Sequence, residues 1–170
     1  MPAKSKLEGA HGLERIVFFS DAVMAIAITL LAIDLKIPQI DPTVAAAELP
    51  RRLQAIGPYF MTFFISFVVI GIYWISHHRY FSHIKRYDTR LMLLNLLFLF
   101  FIACMLFVAN LLGRYVLVPI ALIAYTLAVA ALGIAMALIW LYASGNHRLI
   151  SPDLDADTSG ASTSVSGRRP

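Results

Sequence analysis

RIVFFSDAVMAIAITLLAIDLKIP, residues 15–38, is the stretch on which the fold turns. A cation, a hydroxyl and a carboxylate stand near its start (Arg15, Ser20 and Asp21), and the run from Ala22 to Ile33 carries no charge. A run of this kind has the character of a membrane helix, where ionisable groups are expensive unless they face protein or a water-filled path. At about 100° per residue, with Ile26 as zero, Phe19, Leu30, Ile33 and Ile37 fall within about 40° of one line. One stripe of large apolar side chains therefore runs the length of the helix, with Thr29 at its edge. Ser20 and Asp21 point away from the stripe, and Asp21 shares its side with Ala25, Ile28 and Ala32. Such a helix has one face for sibling helices and another for something else.

Composition places the whole chain in the same class. Hydrophobic residues are 59% of the 170 and charged residues 14%. That balance, with a strongly positive mean hydropathy, excludes an ordinary soluble domain. The single cysteine, Cys104, lies within an apolar run and reads as a small core residue. The net charge of +4 does not indicate a nucleic-acid partner, because the basic residues are distributed by membrane side.

Four apolar runs predict an all-α, polytopic transmembrane bundle. Residues 1–12 form an N-terminal segment, 13–146 the membrane domain and 147–170 a polar tail with no apolar periodicity, which reads as disordered. Within the domain, helices are expected at 13–37, 53–76, 91–112 and 116–142. Pro38 ends the first, and Gly57-Pro58 suits the opening of the second. A cleaved signal peptide is disfavoured: the nominal site at Ala45–Ala47 lies well past Asp34, Lys36 and Pro38. In the fourth run Ala124/Ala128, Ala131/Ala135 and Gly133/Ala137 are small residues at a spacing that permits close helix packing. Basic residues then set the orientation. Lys4, Lys6, Arg15, Arg79, Lys85, Arg86, Arg90, Arg148, Arg168 and Arg169 fall on one side, against Lys36, Arg51, Arg52 and Arg114 on the other. The richer side is the cytoplasmic one, which places both termini inside a cell membrane.

Polar groups of different helices fall at matching depths. Asp21 is about 9 Å along its helix from Arg15, and Asn95 is about 7–8 Å from Arg90 on the same side. Trp74 and His77 end the second helix there too. Hydrogen bonds among Ser20, Asp21, Trp74, His77 and Asn95 would satisfy groups that lipid cannot. His78 and His83 read as wet juxtamembrane residues. His77, His78, His83 and Asp88 lack the convergent spacing of a zinc site, so no metal centre is expected. No catalytic motif and no cofactor-binding motif appears, and no enzyme is expected.

The segment Arg15-x-x-x-Phe19-Ser20-Asp21, followed by Ala22-Val23-x-Ala25-Ile26-Ala27-Ile28-Thr29-Leu30-Leu31, resembles the first-helix signature of the transmembrane protein 175 family of potassium channels. Trp74-x-x-His77-His78-Arg79 and Leu94-Asn95-Leu96-Leu97-Phe98 resemble its second- and third-helix segments. The resemblance covers about residues 12–155. It implies a homo-oligomer, a tetramer, in which four copies of helix 1 line a potassium path through the lipid bilayer. Ile26, Leu30 and Ile33 would form apolar rings there that close by dewetting, with Thr29 the nearest polar layer. The Phe-Ser-Asp motif would pin that helix to its neighbours. Asp34, at the outer end, could attract cations, an idea weakened by Lys36 beside it. Two departures stand out. Bacterial members usually continue into a further helix pair, which is either absent from this protein or cut off by a truncated sequence, and Met105–Val108 replaces a proline-containing segment. A non-conducting scaffold or regulatory subunit, and a proton-handling transporter built on Asp21 and His77, are the alternative functions.

Overall fold

The computed structural model describes residues 2–33, 35, 39–145 and 149, with side chains from residue 11 onward. Four helices follow in order: α1 (Pro2–Ile33), α2 (Ala45–His83), α3 (Thr89–Arg114) and α4 (Pro119–Ser144). Each contains a stretch long and apolar enough to cross a bilayer. In α1 that stretch is His11–Ile33, 23 residues. At about 1.5 Å per residue it is slightly longer than a hydrocarbon core of about 30 Å.

The helices overrun the apolar runs that announced them. The first begins at Pro2 and not near Leu13, and the second spans Ala45–His83 where 53–76 was expected. Hydropathy marks where lipid lies, whereas i→i−4 backbone bonds continue past it wherever the side chains allow. Pro50 and Pro58 are both inside α2. Residues 46–55 are exposed, so water can satisfy the carbonyl that Pro50 leaves unpaired. One turn after Pro58, Thr62 donates its hydroxyl to the Pro58 carbonyl at 2.9 Å. In the turn before α2, the Thr43 hydroxyl and amide donate to Asp41 at 2.6 and 2.9 Å. They hold its carboxyl below the usual carboxylate range. The expected end of helix 1 at Ile37–Pro38 and the tail 151–170 lie outside the described residues.

The hub of the bundle is α3, which touches the other three helices. Leu91, Phe98, Ile102 and Met105 are fully buried along it. By contrast, α1 touches α2 and α3 but not α4. The narrow contact between α2 and α4 is tied by two polar bonds. Tyr73 donates to the Val129 carbonyl at 3.2 Å, and the Ser66 and Tyr125 hydroxyls meet at 3.1 Å. At the end of the bundle where α2 passes to α3, Asp88 caps α3 by accepting from the Leu91 amide at 2.9 Å. The Tyr142 hydroxyl of α4 donates to the same carboxylate. The Lys85 amide donates to the Leu149 carbonyl at 2.7 Å, which draws the chain beyond α4 onto the α2–α3 connection.

At the opposite end α2 and α3 approach closely through Gly113. A Cβ there would lie 3.0 Å from a Tyr59 ring carbon and 3.5 Å from the Tyr59 Cα. Gly113→Val should therefore overpack this contact and cost about 1–3 kcal/mol. Gly57, with nothing within 4 Å of its would-be Cβ, provides the comparison. Gly57→Ala should stabilise by up to about 1 kcal/mol through helix propensity alone. Thermal unfolding of the detergent-solubilised variants should move in opposite directions, and a common direction would refute the contact.

Candidate functional site

Ser20 and Asp21 are adjacent on a helix, so their side chains diverge by about 100° and address different neighbours. Ser20 is fully buried, in line with Met24, Ala27 and Leu31, and faces the bundle. Its hydroxyl donates to the Ile16 carbonyl at 2.9 Å and accepts from the Asn95 amide nitrogen at 2.8 Å. Because that amide group is donating, the Asn95 Oδ1 accepts from His77 Nε2 at 2.9 Å, which makes His77 the Nε2–H tautomer. The imidazole is stacked between Phe81, with ring centroids 4.2 Å apart, and Phe98, 5.6 Å away. His77 Nδ1 is buried and finds no hydrogen-bond partner among the described residues. Three side chains from three helices thus close one buried chain of bonds.

Asp21 makes a separate connection. Its Oδ1 accepts from Trp74 Nε1–H at 2.8 Å, at the partly open edge between α1 and α2. The single network expected among Ser20, Asp21, Trp74, His77 and Asn95 is therefore two: a buried triad to α3 and α2, and a peripheral pair to α2. The 100° step between Ser20 and Asp21 is the reason. Arg15 joins neither set and stands exposed at the start of the span.

The opposite side of α1 is bare. Phe19 is 54% exposed, Ile26 57%, Leu30 40% and Ile33 66%, and Thr29 is exposed among them. The Thr29 hydroxyl donates to the Ile26 carbonyl at 2.9 Å, so its oxygen has only acceptor capacity left to offer outward. Ile28 is half-buried and packs against the core. The exposed arc is wider than the expected stripe, since Phe18 at 70% also belongs to it. Asp34 lies outside the described residues. Among the described residues no three His, Cys, Asp or Glu side chains gather as metal ligands. Sequence reasoning missed the ties to α4. Ser66 and Tyr73, seven residues apart on one face of α2, were the available signal.

A model of the family described as the endosomal/lysosomal potassium channel TMEM175 matches residues 15–105. The chain belongs to the TMEM175 family. A potassium channel of Streptomyces collinus is 36% identical over 146 residues, covering 84% of this chain and 69% of that one. The crystal structure of a lysosomal potassium-selective channel TMEM175 homologue from Chamaesiphon minutus superposes with a TM-score of 0.73 at 33% identity. It covers 88% of this chain and 79% of that one. The mouse endosomal/lysosomal proton channel TMEM175 is 35% identical over 108 residues, 59% of this chain and 21% of that protein. With four membrane-capable helices, this member of a family of ion channels, not enzymes, is a multi-pass membrane protein. The matched region contains all five residues of the triad and the pair, whereas the α4 ties through Tyr125, Val129 and Tyr142 lie beyond it.

The two bond sets should differ in weight. Asn95→Ala leaves the buried His77 Nε2–H without its partner side chain and should cost about 1–3 kcal/mol. Asp21→Ala breaks a bond at a partly open edge and should cost under about 1 kcal/mol, in the range measured for polar pairs between membrane helices. Chemical unfolding of the two variants in mild detergent checks the order, and a larger loss from Asp21→Ala would reverse the assignment.

Proposed function

We propose that the chain is a subunit of a potassium-permeable channel of the cell membrane, a homo-oligomer of four copies in which α1 lines the path. The observation that carries this reading is the bare face of α1. A helix that merely faces lipid needs no particular rotation about its axis. Here two bond sets on adjacent residues fix that rotation and turn Phe19, Ile26, Thr29, Leu30 and Ile33 away from the bundle. Around a symmetry axis, Ile26, Leu30 and Ile33 would stack as apolar rings that block by dewetting and not by charge. The outward oxygen of Thr29 suits a partly dehydrated cation. The names of the bacterial relatives support potassium as the permeant ion. The ten-to-four distribution of basic residues supports cytoplasmic termini.

A proton path has support from the name of the animal relatives. The geometry of His77 does not favour it as a carrier, since the ring is fully buried and closed in by Phe81 and Phe98. A scaffold without conduction would need the same polar bonds, so recorded current is what separates it from a channel.

Reconstituted flux tests the reading. The wild-type chain should pass K⁺ in preference to Na⁺, and Ile26→Ala should raise the leak severalfold while lowering that preference. Ile28→Ala, which removes the same side chain from the packed side, should leave conduction unchanged and weaken stability. Equal effects on flux from the two substitutions would exclude the Ile26 face from the path, and absence of any current would favour the scaffold. Orientation is tested apart from conduction. In a Cys104→Ser background, Ala46→Cys and Ser159→Cys should label from opposite sides of the membrane.

A further inference from the structure

We propose that the cleft between the first turns of the α1 span and the start of α3 binds the headgroup of an anionic phospholipid, with Arg15 as the phosphate ligand. The cleft has a volume of about 410 Å³, within the range of small-molecule sites. Arg15, Phe19, Tyr87, Met92 and Leu96 line it, with Gly12 at its floor. Tyr87 lies so close to α1 that a Cβ on Gly12 would overlap its ring. That contact fixes the α2–α3 connection as one wall.

Charge selects the ligand. Among the described residues Arg15 has no hydrogen-bond or ion-pair partner. Among the described residues no acidic side chain lines the cleft. The nearby carboxylates are engaged elsewhere: Glu14 meets His11 at 3.3 Å, Asp21 holds Trp74, and Asp88 caps α3 and receives Tyr142. Lys85, Arg86 and Arg90 stand exposed on the adjoining connection and first turn of α3. The Asn95 side chain, at the back of the cleft, is already bonded to Ser20 and His77.

The walls select the source of the phosphate. Phe19, Met92 and Leu96 are 54%, 41% and 49% exposed and lead from the charged end into the apolar spans. An acyl chain gains by lying along them, whereas a free phosphate ion gains nothing there. A choline headgroup would bring its own cation against Arg15 and the neighbouring basic residues with no acid to receive it. Phosphatidylglycerol carries the phosphate charge without that penalty. The inference stands on the cleft alone and does not require the chain to conduct.

Native mass spectrometry of the full chain in detergent, with phosphatidylglycerol or phosphatidylcholine added, reads the site in whatever oligomer is present. The wild type should retain phosphatidylglycerol in preference to phosphatidylcholine. Arg15→Gln should lower that retention about fivefold, the contribution of one basic residue at an anionic lipid surface, and Arg15→Lys should keep most of it. Leu96→Trp, which fills the groove without touching its charge, should also lose the lipid, and it carries the test if Arg15→Gln fails to fold. Arg114→Gln, at the far end of α3, should change nothing. Equal retention of the two lipids, or undiminished retention by folded Arg15→Gln or by Leu96→Trp, would overturn the proposal. So would displacement by millimolar inorganic phosphate, which would assign the site to a free anion. Lipid lost on assembly would instead show that a second copy fills the cleft, and would overturn it as well.

Discussion

A polar side chain in hydrocarbon has no water to fall back on, and the rest of this bundle depends on how α1 meets that constraint. Ser20 and Asp21 enter the span side by side, and each requires a partner from another helix. Asn95 from α3 serves the first, and Trp74 from α2 serves the second. Because the two requirements point about 100° apart, they can be met together at only one rotation of α1. The helix is thereby fixed about its axis by hydrogen bonds, where apolar packing against lipid or Leu-rich neighbours would leave several rotations close in energy.

Fixing the rotation makes the two sides of α1 unequal. The side that carries Ser20, Met24, Ala27 and Leu31 is sealed against the bundle. The side that carries Phe19, Ile26, Leu30 and Ile33 is presented to whatever lies beyond it. Among the described residues α1 makes no contact with α4, and that side stays exposed. In the proposed channel, an apolar path of defined width would need its lining residues held at fixed angles, and the polar bonds on the back of the helix would supply that rigidity. His77 fits this account as a support and not as a carrier. Its Nε2–H is committed to Asn95, and its ring is clamped between two phenylalanines.

The remaining helices are secured differently. α4 packs chiefly on α3 and reaches α2 through the tyrosine hydroxyls of Tyr73 and Tyr125. Tyrosine suits this task because its ring is at home among apolar side chains while its hydroxyl finds a carbonyl or serine. At the α2–α3 end, Asp88 links three elements, capping α3, receiving Tyr142 from α4 and following Tyr87, which rests on α1. That end is therefore the most heavily cross-connected part of the molecule, and it is also where the basic residues and the Arg15 cleft lie.

The number of spans, the membrane class and the polar residues that must find partners were legible in the chain itself. An uncharged run of membrane length is unambiguous, and a serine or carboxylate inside it is conspicuous. The stripe through Ile26 and Ile33 was equally legible, because helical periodicity alone places those residues on one line. The pairing was not. Sequence grouped Ser20, Asp21, Trp74, His77 and Asn95 by depth, and depth is one coordinate of three. Only the packed bundle separated a buried triad from a peripheral pair, since that division depends on rotation about each helix axis. The helix ends escaped for a related reason: hydropathy reports where lipid is, while backbone hydrogen bonding carries α1 and α2 well past it. The ties to α4 lie between residues more than 50 positions apart, Ser66 with Tyr125 and Tyr73 with Val129. No local pattern encodes which tyrosine meets which helix, because that choice is made by the tertiary packing that brings the two surfaces together.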